Sequence, residues 1–219
     1  MKKSLLVLLP LILVLGACTN QPKTPDVPDT PDTPDWGETA TKTIVFKGDK
    51  TRAGLGSGSQ LGTSAFDNAL TSLINEQSDN ALTALGGNKC AMQLVGGDSA
   101  ADTSLTIGTG SYDGLIYFTF SLDIVKIDVT IQNYYKAYTG GFSIDNAAEL
   151  TICSYSPNGD GTVIESKEVS LATEDVTNVP EEKQESLELN EKTNTIAFFN
   201  NAEKHRTYIH SLTITYLVD

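Results

Sequence analysis

Two runs of alternating side chains between Gly114 and Asn133 leave this chain few folds to choose from. Ile116, Phe118, Phe120 and Leu122 alternate with Leu115, Tyr117, Thr119 and Ser121. After a two-residue link, Val125, Ile127, Val129 and Ile131 alternate with Lys126, Asp128, Thr130 and Gln132. A period of two sends successive side chains to opposite faces, so each run predicts a β-strand. In the second run one face is apolar and the other polar. In the first, one face is wholly apolar while the other begins apolar and turns polar. Strands of this kind bury one side, which a two-layer antiparallel fold provides.

Shorter runs extend the pattern: Thr43 to Phe46, Ala91 to Val95, Ser104 to Ile107, Phe142 to Ile144, Glu149 to Tyr155, Thr162 to Ser170, Glu185 to Leu189, Asn194 to Phe199 and Thr207 to Leu217. Turn-forming residues separate them at Ser111-Tyr112-Asp113-Gly114, at Gly140-Gly141 and from Pro157 to Gly161. One helix is expected over Ser64 to Glu76. Ser64 and Asp67 have capping-box spacing there, and Phe66, Ala69, Leu70, Leu73 and Ile74 share a face. The glycines of the loop from Gly54 to Gly62 do not have dinucleotide-binding spacing.

The N-terminus sets the address. Lys2 and Lys3 precede an apolar run from Leu5 to Leu15 that is too short to span a bilayer, and Gly16-Ala17-Cys18 follows. Residues 1–17 therefore read as a secretory signal. Leu15-Gly16-Ala17-Cys18 resembles the lipobox of bacterial lipoproteins, which makes Cys18 the lipidated residue and the membrane a partner through that lipid. Two acyl chains on Cys18 hold a protein stably at an extracytoplasmic membrane face. Residues 18–38 continue as a linker in which Pro22, Pro25, Pro28, Pro31 and Pro34 recur every third position, with Asp26, Asp29, Asp32 and Asp35 between them. This is polyproline II spacing, and at about 3.1 Å per residue it makes a stalk of about 50 Å. Residues 39–219 form the β-domain.

The full chain carries 15 Lys and Arg against 28 Asp and Glu, a formal charge of −13. Cleavage removes Lys2 and Lys3 and no acid, leaving −15. Such a surface argues against nucleic acid as a partner. Cys90 and Cys153 remain, each in an apolar strand-like context. They read either as a disulfide worth about 4 kcal/mol in the chain-entropy model, or as two buried free thiols.

The succession of an LTIG strand, a G-x-I-x-F-x-F strand, a V-x-I-x-V-x-I strand, a TIAFFN strand and a closing YIHSLTITY strand resembles a jelly-roll β-sandwich. It is similar to the galactose-binding-like and carbohydrate-binding modules of bacterial surface proteins, over about Ala91 to Asp219. The resemblance implies glycan binding at loops or on a concave face, and a structural calcium in some members. The fold expected is mainly β, a jelly-roll-like antiparallel sandwich with one short amphipathic helix, behind a signal peptide and a Pro-rich stalk.

The residues themselves offer little for catalysis, and no enzyme is expected. His205 and His210 lie five apart, on opposite faces of a regular strand, and read as ordinary strand-end and surface histidines. Paired carboxylates for glycan hydrolysis are not placed by any spacing. Asn158 and Asp160, in Ser156-Pro157-Asn158-Gly159-Asp160-Gly161, read as a β-turn or an incomplete calcium loop whose first and twelfth positions are Ser156 and Lys167. No other cofactor is expected. Tyr134, Tyr135 and Tyr138 are the best candidates for stacking on a sugar, with Lys136 or Asn133 supplying hydrogen bonds. The same tyrosines at strand ends also suit simple packing. Partners expected are therefore a glycan or, failing that, an envelope protein.

Replacing Cys18 with Ala should abolish incorporation of labelled lipid into the expressed protein, and unchanged labelling would remove the anchor.

Overall fold

A computed structural model describes residues 34–97, 100–145, 148–157, 161–171, 177–200 and 205–218. The signal segment, Cys18 and nearly all of the stalk lie outside the described residues, as do Asn158 and Asp160. The elements, in order, are Thr39–Val45 (β1), Gly48–Asp49 (β2), helix Ser64–Ser78 (α1), Leu82–Asn88 (β3), Cys90–Leu94 (β4) and Asp102–Ile107 (β5). Gly114–Asn133 (β6), Tyr135–Tyr138 (β7), Gly141–Ile144 (β8), Glu149–Ser156 (β9), Thr162–Ser170 (β10), Glu182–Asn200 (β11) and Thr207–Leu217 (β12) follow. The protein is mainly β, an antiparallel sandwich with one helix.

The two alternating runs are one strand. β6 is 20 residues long, and its first half pairs with β3 on one side and the C-terminal half of β11 on the other, with Leu85 and Phe198 opposite Phe118 and Ile116. Its second half pairs with β12 and with the N-terminal half of β11, Ile214 and Leu187 both lying opposite Ile127. The expected strands at 185–189 and 194–199 are likewise one strand, β11. The first layer is therefore β3-β6-β11-β9-β10. The second is β11-β6-β12, with β12 paired further to β1 and β5, and β5 to β4 and β2. β1 pairs with β12 over seven positions, from Thr39 opposite Leu217 to Val45 opposite Ser211.

The crossing between layers is made by a change of parity. Ile116, Phe118 and Phe120 point inward in the first half of β6, and Ile127, Val129 and Ile131 in the second. Even positions give way to odd ones at Ile124 and Val125, both buried, where the pairing with β11 and β12 also shifts register. A bulge of this kind bends a strand and lets it serve two sheets. Phe46, just past β1, stacks on Phe118 at 6.0 Å between ring centroids, joining the layers, and Phe198 meets Phe118 edge-on at 6.3 Å.

α1 closes one side of this core. Phe66, Leu70 and Ile74 are fully buried in it, as the helical spacing predicts. The cap differs from expectation. Thr63, not Ser64, is the N-cap residue, and its hydroxyl turns back to donate to Gln60 O (2.8 Å), while Asp67 accepts the Gly62 N–H (3.0 Å). The sequence also gave no sign of β3, because Gly86-Gly87 reads as a break. Gly86 lies there because the Tyr117 ring crosses it, and a Cβ at that position would overlap the ring.

Cys90 and Cys153 are both buried and free, the second of the two alternatives. Each thiol faces backbone carbonyls, Cys90 those of Asn88 and Leu115, and Cys153 that of Ala197.

Phe118→Ala removes the ring on which both layers converge and should cost about 3–5 kcal/mol in chemical denaturation. Tyr138→Ala, on the exposed hairpin, should shift the same measurement by less than about 0.5 kcal/mol.

Candidate ligand-binding face

Inward residues of the first layer fill the core, so the intervening ones line its outer surface. In register these are Leu115, Tyr117 and Thr119 on β6, then Phe199, Ala197 and Thr195 on β11, then Thr151, Cys153 and Tyr155 on β9. Cys153, Tyr155 and Ala197, with Leu115, Tyr117 and Phe199 packed against them, form an apolar cluster separate from the main core. Tyr117 and Tyr155 are 5.6 Å apart between centroids, and Tyr155 meets Phe199 edge-on at 5.7 Å. Gly161 has φ +72° and lies against the Tyr155 hydroxyl, where no larger residue fits. Burial pushes the Cys153 thiol up to about 12, so it is a neutral part of this floor.

A cleft of ≈ 560 Å³ opens beside the cluster, lined among others by Tyr155, Thr119, Thr195, Asn194, Asp123 and Lys192. The Thr195 hydroxyl is 3.0 Å from both the Thr119 hydroxyl and Asn194 Oδ1. Lys192 Nζ donates to Asp123 Oδ2 at 2.5 Å. Ile164, 56% exposed on β10, forms an apolar rim. An aromatic wall, hydroxyls, an amide and an internally neutral ion pair suit a polyhydroxylated, uncharged ring with one apolar face.

The tyrosines singled out from sequence do not make a shared platform. The Tyr134 ring is covered by the Arg206 guanidinium at 3.4 Å and packs on Tyr208 at 5.1 Å. Arg206 is held in turn by Asp145 at 2.9 Å. Tyr135 is only 9% exposed and meets Phe142 and Tyr208 edge-on. Tyr138 is 61% exposed, and Lys136 lies in the same short strand, β7. The reason is local: β7 and β8 form a separate hairpin, and neighbouring strand residues point opposite ways, so Tyr135 turns to packing while Tyr138 lies open. Asn133 is buried and donates to Leu171 O, not to a ligand. Among the described residues no three His, Cys, Asp or Glu side chains group as metal ligands. No helix among the described residues is long and apolar enough to cross a membrane.

No protein-family model matches the chain, and neither does any curated protein. Among solved structures it is similar to a family 29 carbohydrate-binding module from Piromyces equi, at 10% identity and TM-score 0.42, covering 82% of this chain and 92% of that one. A family 61 module in complex with β-1,4-galactotriose is similar at 8% identity and TM-score 0.35, over 62% of this chain and 88% of that one. The K2 cleaved adhesin domain of Lys-gingipain is similar at 11% and 0.39, over 80% of this chain and 99% of that one. At such distances none of the three bears on what this chain binds.

His210 is not the surface histidine its position suggested. It is 3% exposed on the outer side of the second layer, stacked on Tyr208 at 5.8 Å. Gln132 donates its amide N–H to Pro180 O (2.6 Å), which turns Gln132 Oε1 toward His210 Nε2 at 2.9 Å. Nδ1 is 3.0 Å from the Ser104 hydroxyl, which also lies 2.6 Å from Ile209 O. Burial depresses the imidazole to about 4, against the smaller opposing pull of Glu182, 3.7 Å from Nε2. Glu182 is itself held below the usual carboxylate range, chiefly by its hydrogen bond from Lys47 at 2.7 Å. No spacing in the sequence points to this network, whose members come from β5, β6, β11 and β12 and from Lys47 and Pro180 in the connections.

An imidazole depressed on folding binds its proton more readily in the unfolded chain. Its contribution to stability is therefore complete above about pH 6.5 and lost as pH falls toward about 4. Acid titration of the unfolding free energy should show a loss of about 3 kcal/mol across that window from this group. His210→Gln should flatten the slope there.

Proposed function

We propose that this is a non-catalytic, glycan-binding β-sandwich, displayed on a proline stalk from an extracytoplasmic bacterial membrane by lipid on Cys18. The observation that carries the glycan reading is the outer face of the first layer. There the half-buried rings of Tyr117 and Phe199 pack beside Tyr155, whose 9% exposed edge lines a cleft of ≈ 560 Å³ rich in hydroxyl and amide groups. Sugars present C–H faces that stack on aromatic rings and hydroxyls that take hydrogen bonds, and this cleft supplies both. Binding is favoured over hydrolysis because Asp123, the carboxylate among the described lining residues, is tied to Lys192. Glycoside hydrolysis uses two carboxyl groups facing each other across the scissile bond.

A second reading is carried by a different observation. β10 is an edge strand of the first layer, with Val163 43% and Ile164 56% exposed. An open edge with apolar side chains also suits addition of a strand from an envelope protein.

A glycan-array screen of the full-length chain in mild detergent, with and without calcium, separates these readings. Bound glycans should be lost or weakened about tenfold by Tyr155→Ala and Tyr117→Ala, at a melting temperature that shows the variants folded, and unaffected by Tyr138→Ala. Absence of glycan binding, together with capture of an envelope protein that Ile164→Lys abolishes, would replace the glycan reading with the strand-addition one.

A further inference from the structure

A second cleft, of ≈ 500 Å³, lies away from the sheet face, where the β3–β4 turn meets the loop from Thr109 to Tyr112 and the segment around Gln60. Its polar lining includes Gln60, Asn88, Lys89, Gln93 and Thr109, and its aromatic is Tyr112, 58% exposed. No Asp or Glu is among the described residues that line it.

The charge at this cleft differs from that around many of the other described lysines, though Lys50 and Lys183 also donate to carbonyls, those of Ala100 and Ser170, and not to acids. Lys42, Lys47, Lys126, Lys167 and Lys192 each lie 2.5–3.8 Å from a carboxylate. Lys89 instead places its ammonium 4.8 Å from the centre of the Tyr112 ring. Lys89, paired with a ring and not with an acid, puts a positive charge in a cleft whose described lining holds no carboxylate, Asp113 following Tyr112 just outside that lining.

Both members of the pair are held in place. Lys89 adopts φ 51°, a left-handed conformation that costs a residue with a Cβ about 1–2 kcal/mol, and its carbonyl accepts the Gly108 N–H at 3.0 Å. The Tyr112 loop closes on itself. Thr109 N–H donates to Tyr112 O (2.8 Å), and the Thr109 hydroxyl accepts N–H groups of Ser111 (3.2 Å) and Tyr112 (3.1 Å). An aromatic face beside a cation, with the side-chain amides of Gln60, Asn88 and Gln93 around them, matches a sugar ring that bears a negative group. The ring stacks on Tyr112, its anion meets Lys89, and its hydroxyls reach the amides.

We propose that this cleft is a second binding site, specific for an anionic sugar whose charge comes from a uronate carboxylate or a sulfate ester. The choice of a sugar as ligand rests on the glycan reading of the domain; the place and the charge preference rest on this cleft alone.

The test is calorimetric titration of the full-length chain in detergent with three matched trisaccharides, one containing glucuronate, one sulfated and one uncharged. At least one anionic ligand should bind, and which one does identifies the source of the charge. Its affinity should fall about tenfold in Lys89→Gln and in Tyr112→Ala, remain within about twofold in Lys89→Arg, and be unchanged by Tyr155→Ala. Failure of both anionic ligands to bind overturns the proposal, as does binding that Lys89→Gln leaves intact or that Tyr155→Ala alone removes. Should the uncharged ligand fail everywhere while an anionic one binds through Lys89, the sheet-face reading falls and this one stands.

Discussion

The whole sandwich depends on one change of parity in β6. With Ile124 and Val125 both buried, the strand presents even positions to the core before the bulge and odd positions after it, and each half is free to join a different sheet. β11 makes the same transit beside it, with register shifts between Glu188 and Thr195. Two strands shared in this way tie the layers through continuous backbone and ladder hydrogen bonds as well as through the packing around Phe118. Neither layer has an independent centre, so their orientation is fixed by the same residues that form them.

That arrangement also decides what remains outside. The outer side of the first layer is apolar in its middle and polar at one end, while that of the second is open around Asp128, Ser186 and Thr213 and covered at the end that carries Gln132, Tyr208 and His210. There the Arg206–Tyr134–Tyr208–His210 stack is met by the β7–β8 hairpin, and Tyr208 donates its hydroxyl proton to Leu94 O. Aromatic residues thus pack on both faces, but on the first layer Tyr117 and Phe199 stay half-buried beside Tyr155, which is 9% exposed. The count of tyrosines in a segment does not distinguish these uses; their strand parity and what lies across from them does.

Much of this was legible in the sequence. The alternation of β6, β11 and β12 and the apolar face of α1 identify the elements and the class of fold, because burial on one side imposes a period. The layer crossing was not legible as such: a parity shift and a two-residue link look alike until pairing partners are known. The face carrying Tyr117, Tyr155 and Phe199 was also missed, since its residues come from three strands far apart in the chain. A trace of it was present. The first half of β6 is apolar on both faces at Leu115 and Tyr117, and so are TIAFFN around Phe199 and LTICSY around Tyr155. Strands greasy on both sides at one end announce a second apolar surface beyond the core. The choice of Tyr134, Tyr135 and Tyr138 relied on closeness along the chain, which a strand converts into opposite directions.

The pairing of β1 with β12 has a mechanical consequence. The strand that opens the sandwich at Thr39 lies against the one that ends at Leu217, bonded in register over seven positions. When the domain is held by its faces, a pull on the chain ahead of Thr39 runs along the axis of β1, so these pairs carry the load together and do not open one after another. Ile44, in the same strand, is fully buried in the core and resists the same sliding. The point where the domain joins the preceding chain is thereby built to bear tension.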